Sequence, residues 1–211
     1  MGKTDFSFKD EKTGIKAKKV LLYITTVLQN HNIEYFLEGG TLLGIVRDGR
    51  LLEWDHDIDL SVNQGELEKL LRLKWFFAFR GFKFTIRKNP KQKGPFKAGD
   101  ILVIKIKPII DYLLQIIRMH NTPHYPVCDI FIKYYDNGHY YWHAKNKIMR
   151  VKSHYYESHD LVAYGDVKLY APASHKEYLT EKYGNWAVPV KTWDCAVDEK
   201  TIWTPESGAV K

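Results

Sequence analysis

Three aspartates alternate with other residues in one short stretch, at Asp55, Asp57 and Asp59 between Trp54 and Leu60. Aspartate is uncommon in strands, and alternate residues of an extended strand share one face, so the pattern places carboxylates side by side, about 6.6 Å apart. Like charges this close repel and raise one another's pKa unless a cation lies among them. Oxygen ligands favour Mg²⁺ or Mn²⁺, ions that serve phosphoryl transfer by neutralising developing charge.

A glycine-rich turn precedes the aspartates. The apolar run 33–37 leads into Gly39, Gly40 and Thr41. A turn of this kind between a strand and a helix exposes backbone N–H groups that can bind a phosphate. Arg47 begins the turn that follows the short helix predicted at 41–46, and it could pair with a phosphate oxygen near the glycine turn. A solvated surface arginine is the alternative for Arg47.

A further carboxylate, Asp129, stands inside the apolar run 127–132. A buried charge is costly unless it is paired or bound to a metal. The residue types alone therefore allow either a structural aspartate with a satisfied charge or another member of the site. Lys105 belongs to the polar face of a strand predicted at 101–107, and it could meet a phosphate if that face borders the site.

A calcium-binding EF-hand loop is the main competing interpretation of the aspartate stretch. If Asp55 is the first position of such a loop, residues of the types that bind calcium occupy its first, third, fifth, ninth and twelfth positions. Leu60 occupies the sixth position, where a glycine is needed because a branched residue with φ > 0 is strained. A zinc site is disfavoured as well, since the histidines have irregular spacing and lack accompanying thiols. These histidines are His139, His143, His154 and His159.

Composition fits one globular domain over residues 1–211, because 211 residues with 45% hydrophobic side chains can build one core. No stretch approaches eighteen apolar residues and the N-terminus lacks an apolar signal core, so we expect a soluble chain with no membrane span. Two cysteines favour a reducing compartment such as the cytoplasm. A domain of the Golgi lumen that has been separated from its membrane anchor would have the same composition. The net charge of +7 suits anionic partners such as nucleotides, phosphorylated glycans or nucleic acid.

Helical and strand patterns mix along the chain, which predicts an α+β fold. Helices are predicted at 15–30, 41–46 and 66–80, and we expect the aromatic residues of the last, Trp75, Phe76 and Phe79, to lie in the core. Strands are predicted at 33–37, 54–60, 82–87, 101–107, 127–132 and 166–170, with an Asn-Gly hairpin turn at 137–138. We interpret residues 108–126 as an insertion. Ser174 and Glu177 predict a capping box, and Gly184 the end of that helix.

The glycine and aspartate stretches together closely resemble the signature of the LicD/fukutin family, a branch of the nucleotidyltransferase (polymerase-beta-like) superfamily. The motifs are 40–47, Gly-Thr-Leu-Leu-Gly-Ile-Val-Arg, and 54–59, Trp-Asp-His-Asp-Ile-Asp. Asp129-Ile130-Phe131 resembles the family's third carboxylate, 178–186 its closing motif, and 189–194 the fukutin branch. His56 stands where many relatives carry an acidic residue, and on a strand it would face away from the aspartates, with little effect on metal binding.

The resemblance implies a mixed β-sheet flanked by helices and a metal-dependent phosphotransferase. Such an enzyme moves an alcohol phosphate, for example ribitol phosphate or phosphocholine, from a CDP-linked donor to a sugar hydroxyl of a glycan and releases CMP. Asp57 and Asp59, with Asp55 and Asp129, would form the catalytic set and hold Mg²⁺ or Mn²⁺, and Asp129 could act as general base. The donor phosphates would be bound by Gly39, Gly40, Thr41 and Arg47.

Two other functions stay open at this point. One is a nucleotidyltransferase that uses NTPs to modify RNA, a small molecule or a protein, and the basic charge suits it. The other is a non-catalytic module that binds glycans or nucleic acid. The family signature disfavours nucleic acid as the partner. Which alcohol phosphate and which glycan are involved does not follow from the residues, since fold analogy transfers reaction type better than substrate.

Overall fold

The computed structural model of the protein describes residues 7–110 and 126–204. Its helices are α1 (Glu11–Asn30), α2 (Gly39–Asp48), α3 (Leu67–Phe79) and α4 (His175–Tyr183), with 3₁₀ turns at Gln64–Glu66 and Ser153–Tyr156. Its strands are β1 (Phe36–Leu37), β2 (Asp57–Asn63), β3 (Phe82–Lys88), β4 (Ile101–Pro108), β5 (Val127–Asp136), β6 (His139–Ala144), β7 (Lys147–Lys152), β8 (His159–Tyr164), β9 (Val167–Pro172) and β10 (Ile202–Trp203).

Eight of the strands form a mixed sheet that divides at β5. The first half of β5 pairs in parallel with β2 and antiparallel with β4, while β1 and β3 occupy the outer positions. The last residues of β5 pair instead with β6, from which the sheet continues through β7 to β10. Strands β8 and β9 form a separate hairpin. The mixed sheet and its flanking helices confirm the predicted α+β class.

The helix α1 covers the sheet with an apolar face at helical spacing. Its buried residues include Val20, Leu21, Ile24 and Leu28, which belong to the same core as residues of β2 and β5. Asp10 caps the helix, since its carboxylate accepts a hydrogen bond of 2.8 Å from the Thr13 N–H. The predicted helix at 15–30 is confirmed, although it begins four residues earlier, at Glu11.

The hairpin that joins β5 and β6 confirms the Asn-Gly prediction. Asn137 has φ of 45° and Gly138 has φ of 77°. Positive φ at both central residues is what a type I′ turn needs to match the twist of its strands. The turn therefore directs β6 back along the second half of β5.

Element bounds near the glycine turn differ from the prediction in three places. The helix predicted at 41–46 is α2, which already begins at Gly39, so that the predicted glycine turn is its first turn. The strand expected at 33–37 is reduced to Phe36–Leu37, and the carboxylate strand begins at Asp57 rather than Trp54. Asp55 and His56 consequently lie in the loop before β2. The alternation of aspartates from residue 54 onwards also fits a loop that leads into a strand, so the alternation does not locate the start of the strand.

The prediction for the aromatic residues of α3 was wrong for two of the three. Trp75 is 67% exposed and Phe79 is 86% exposed, whereas Phe77 is fully buried. Phe76 is partly buried and packs against the core. The helix turns its buried residues Leu70, Leu73 and Phe77 inward, and their helical spacing leaves Trp75 and Phe79 on the outer side.

The capping box predicted before α4 does not form. Ser174 precedes the helix with φ of 51° and ψ of 41°, and its side chain makes no capping hydrogen bond. In this left-handed conformation the hydroxyl does not reach the first helical N–H groups. Gly184 does end the helix, as predicted, and its N–H donates to the Thr180 carbonyl.

The insertion predicted at 108–126 lies almost wholly outside the described residues. The single-domain organisation over residues 1–211 accordingly stays a prediction. Within the two described ranges, none of the helices combines the length and the apolar character needed to cross a bilayer.

Candidate active site

Parallel pairing of β2 and β5 brings the two predicted carboxylate segments together. Asp59 is the register partner of Asp129, so both side chains leave the same face of the sheet. On the other side of β5, Lys105 of β4 is also a register partner of Asp129. The Lys105 Nζ lies 2.5 Å from Asp129 Oδ2. Asp129 thus stands between the β2 aspartates and a lysine.

Asp55 and His56 extend this cluster from the loop before β2. Ligand atoms of Asp55, His56 and Asp57 all lie within 4.8 Å of one another. The expectation that His56 faces away from the aspartates was therefore wrong. It assumed strand alternation, which does not apply because the strand begins only at Asp57. These three residues are a possible metal-ligand group.

Two carboxylates pack directly against the glycine turn. A Cβ added to Gly39 would overlap the Asp59 carboxylate, and one added to Gly40 would overlap the Asp55 carboxylate. Gly39 also has φ of 54°, in the left-handed region that residues with a side chain rarely adopt. Glycine is required at both positions because carboxylates occupy the space where a side chain would lie.

Burial and mutual repulsion raise the pKa values of these carboxyl groups. Burial raises the pKa of Asp55 to about 7, with the charge of Asp57 as the next cause. The pKa of Asp59 is raised well above its usual value, first by burial and then by Asp57, Asp55 and Asp129. Burial also raises the pKa of Asp129, although Lys105 opposes this. Burial and the neighbouring carboxylates thus disfavour the charged form of these groups, and Lys105 offsets this only in part, at Asp129.

Unpaired oxygens in the cluster suit a divalent cation. Within the described ranges, Asp55, Asp57 and Asp59 have no Lys or Arg ion pair. Asp129 Oδ1 is buried and has no hydrogen-bond partner. Carboxylate oxygens are the ligands that Mg²⁺ and Mn²⁺ prefer, so the residues present fit the expected metal.

A cavity of about 500 Å³ lies over this cluster. Of the predicted site residues, it is lined by Gly39, Gly40, Arg47, Asp55, Asp57, Asp59 and Asp129. Helix α2 and the sheet form two of its walls. A third wall comes from residues that follow α4, among them Trp186, Lys191 and Trp193. The structure thus brings seven of the eight predicted site residues to one cavity.

Thr41 is the predicted residue that does not line the cavity. It is buried, and its Oγ1 accepts a hydrogen bond of 2.9 Å from the Asp59 N–H. The hydroxyl therefore fixes the position of β2 relative to α2. Arg47 lines the cavity but makes two hydrogen bonds of 2.8 Å to the Asp48 carboxylate. Its guanidinium is consequently held in place by a neighbour on the same helix.

A buried charge network beneath the glycine turn was missed by the sequence analysis. Glu38 is 1% exposed, and its Oε1 accepts a hydrogen bond of 3.1 Å from the Gly39 N–H at the start of α2. Its carboxylate lies 2.7 Å from Lys133 Nζ and 3.3 Å from Lys182 Nζ. The hydroxyls of Tyr156 and Tyr178 donate to the same carboxylate. Glu38 is thus surrounded by donors.

Electrostatics keep Glu38 ionised in this network. Burial alone would raise its pKa, but Lys133 and Lys182 hold that pKa well below its usual value. Burial lowers the pKa of Lys133 to about 7. Lys182 also pairs with Glu199 at 2.9 Å, which ties the chain after α4 to the network. A lysine among the apolar and aromatic residues 130–134 was the sequence signal that could have revealed it.

Comparison with known proteins identifies the class as a nucleotidyltransferase domain. A family model described as LicD/FKTN/FKRP, nucleotidyltransferase domain, matches residues 32–174. The chain belongs to the LicD/FKTN/FKRP family, which confirms the resemblance found in the sequence. The proposed similarity of residues 189–194 to the fukutin branch lies beyond the matched residues and stays a prediction.

Individual relatives match shorter segments. Ribitol 5-phosphate transferase FKRP of Homo sapiens and of Mus musculus are each 45% identical over 40 residues, 19% of this chain and 8% of theirs. Lipopolysaccharide cholinephosphotransferase LicD of Haemophilus influenzae is 33% identical over 57 residues, 27% of this chain and 21% of that protein. The matches thus span at most about a fifth of these relatives. By their names, both kinds of relative transfer a phosphate-bearing alcohol.

A solved structure is also similar in part. It is the crystal structure of ANT(2")-Ia in complex with adenylyl-2"-tobramycin, with a TM-score of 0.43 and 12% sequence identity. The similarity covers 85% of this chain and 83% of that one.

Proposed function

We propose that this chain is a metal-dependent phosphotransferase that moves an alcohol phosphate from a CDP-linked donor to a sugar hydroxyl of a glycan and releases CMP. Family membership supports the reaction class. The observation that carries the proposal is the convergence of Asp57, Asp59 and Asp129 beside Gly39 and Gly40 in one cavity. A phosphate-binding turn and a metal-binding carboxylate set at one place are what this transfer requires.

Asp57 and Asp59, with Asp55, would hold one or two Mg²⁺ or Mn²⁺ ions. When bound, the metal neutralises charge on the donor diphosphate. Asp129 is the fourth member of the set. Because Lys105 binds its Oδ2, the orphaned Oδ1 is available as a ligand or as an acceptor for the proton of the sugar hydroxyl.

The first turn of α2 would bind the donor phosphates. The leading N–H groups of a helix have no intrahelical partner, and those of Gly40 and Thr41 are at this end of α2. The absence of a side chain at Gly40 lets the Asp55 carboxylate lie against this turn, so that a metal held by Asp55 would be close to the donor phosphates. Arg47, one wall of the same cavity, adds positive charge near the leaving CMP.

The direct test is release of CMP by purified protein with Mn²⁺, CDP-ribitol or CDP-choline, and a glycan acceptor. We expect Asp57→Ala and Asp59→Ala each to abolish release, and chelation of the metal to do the same. Asp136→Ala is the matched control, because Asp136 is an exposed carboxylate on β5, outside the cavity. Turnover retained by either site variant would refute the site.

A second measurement separates this function from NTP-dependent nucleotidyl transfer. A ligand that binds the folded state raises the thermal unfolding midpoint, and at equal concentration a tighter ligand raises it more. We expect CDP-alcohols and CMP with Mn²⁺ to raise this midpoint more than any of ATP, GTP, CTP and UTP. Stronger stabilisation by a triphosphate, together with pyrophosphate release, would favour NTP-dependent nucleotidyl transfer as the function instead.

A further inference from the structure

Charge changes sign across the cavity face of the sheet. Following the register from β2 to β4, Asp59 lies opposite Asp129, and Asp129 lies opposite Lys105. Lys105 in turn lies opposite Thr85 of β3, and Arg87 lies two residues further along β3, opposite Val103 of β4. Alternate residues of a strand share a face, so Arg87 lies on the same face of the sheet, in the row next to that of Lys105. Asp59, Asp129, Lys105 and Arg87 all line the cavity.

Arg87 has no assigned partner or role. Its Nε is buried and makes no hydrogen bond, and Arg87 has no ion pair with the residues in the described ranges. Arg87 as a whole is half-buried, but a buried N–H donor of a charged group without an acceptor is costly, so its position in the cavity points to a ligand that accepts its hydrogen bonds. A guanidinium presents donors in a planar fork that matches phosphate or carboxylate oxygens.

The row that ends at Arg87 forms an apolar floor in the cavity. Phe131 of β5 and Val103 of β4 lie between Ser61 of β2 and Arg87 in the register. Both line the cavity. Three strand spacings separate β2 from β3, about 14 Å. An apolar floor with Arg87 at one end and Asp129 beside it suits a sugar whose ring lies over Phe131.

We propose that Arg87 forms an anion-binding subsite for the acceptor, taking a phosphate or carboxylate group of the glycan while the reacting hydroxyl lies at Asp129. The inference rests on the proposed function for its orientation, since it assigns the β3 end of the cavity to the acceptor. The donor would occupy the opposite end, at the glycine turn. An anionic glycan is thereby selected over a neutral one.

The test measures binding of glucose 6-phosphate, glucuronate and glucose to the full chain by ligand-observed NMR titration. The proteins compared are the wild type, Arg87→Gln and Lys88→Gln. Lys88 is the matched control, because it is an exposed cation next to Arg87 on β3 that does not line the cavity. Thermal unfolding of each variant checks that the fold is retained.

We expect the wild type to bind at least one of the anionic sugars more tightly than glucose. Arg87→Gln should weaken that binding about tenfold to a hundredfold, as loss of a charged hydrogen bond predicts. Lys88→Gln should leave it unchanged. Tighter binding of glucose 6-phosphate indicates a phosphate subsite, and tighter binding of glucuronate indicates a carboxylate subsite. Equal binding of all three sugars by the wild type, or anionic binding that ignores Arg87, overturns the subsite.

Titration with CMP and the CMP-release assay separate the two proposals. If Arg87→Gln weakens CMP binding and leaves the anionic sugars unaffected, Arg87 serves the donor and the acceptor subsite is refuted. If sugar binding depends on Arg87 but no CDP-alcohol yields CMP, the transfer reaction fails while the anion subsite stands. If CMP is released and sugar binding ignores Arg87, the subsite alone fails.

Discussion

Asp59 and Asp129 face each other as register partners on the parallel strands β2 and β5. Neighbouring strands lie about 4.8 Å apart, so the pairing holds two carboxylates close together on one sheet face. Each belongs to a strand whose alternate residues are fully buried, such as Leu60 and Ile130. A register slip on either strand would turn its aspartate into the core. The hydrophobic core thus fixes the spacing of the site.

Replacing Asp59 with asparagine should affect stability in opposite directions without and with metal. In EDTA the variant should gain about 1 kcal/mol in unfolding free energy, because a neutral amide replaces a buried carboxylate among like charges. With Mn²⁺ at a hundred times its dissociation constant, the wild type should gain about 2.7 kcal/mol and the variant much less. Urea unfolding in both buffers checks this. Asp136→Asn should show neither effect, and an equal gain with Mn²⁺ in Asp59→Asn would contradict the metal site.

Replacing Gly40 with alanine should damage the site through its shape. The added Cβ would overlap the Asp55 carboxylate, so either the loop or the start of α2 must move. We expect at least a tenfold loss of CMP release, since displacement of a positioning group by about 1 Å costs on the order of a hundredfold. Gly65→Ala is the comparison, because nothing lies within 4 Å of a Cβ at Gly65. If Gly40→Ala retains the wild-type rate, close packing at the turn is unimportant.

Replacing Glu38 with glutamine should destabilise the protein and change its acid response. Removing one partner from a buried ion pair costs about 3–5 kcal/mol, and here it leaves Lys133 and Lys182 without their shared carboxylate. Because the folded-state pKa of Glu38 lies below its ordinary value of 4.5, its contribution is present above that pH and lost as the pH falls. The difference between wild type and variant should therefore be large at pH 6 and shrink towards pH 3.

Urea unfolding at a series of pH values measures that difference. Glu53→Gln serves as the control, since Glu53 is an exposed partner of Arg50 and surface pairs contribute about 0–1 kcal/mol. A Glu38→Gln deficit that stays constant from pH 6 to pH 3 would mean that the ionised carboxylate is not the stabilising form.

Two phenylalanines of α3 should respond oppositely to truncation. Phe77→Ala should lose about 3–5 kcal/mol, because its ring is fully buried. Phe79→Ala should change stability by less than about 0.5 kcal/mol, since its ring is 86% exposed. Thermal or urea unfolding of the two variants decides this. Comparable losses at both positions would show that Phe79 is covered in solution.

The sequence predicted the catalytic segments because their signals are local. The period of Asp57 and Asp59 within an apolar strand, the glycines before them and the isolated Asp129 can each be seen within a few residues. Their convergence on one cavity followed from the family resemblance. Bounds were less accurate, since Asp55 and His56 continue the alternation of the strand without belonging to it.

The Glu38 network could not be predicted in the same way. Its members Lys133, Tyr156 and Lys182 come from β5, a 3₁₀ turn and α4, and no short-range spacing connects them. Only the packing of these elements around the start of α2 brings their charges together. The exposed Trp75 and Phe79 show a second limit of prediction from sequence. An aromatic residue on a helix does not reveal which side of the helix is buried.

The wall formed by the residues after α4 has a different consequence. Between Gly184 and Thr201 the chain has no helix or strand, yet Trp186, Lys191 and Trp193 line the cavity. Irregular segments tolerate substitution and insertion better than sheet strands do. Substitutions and insertions in this segment could therefore change which substrates fit the cavity, while the carboxylates of β2 and β5 stay the same.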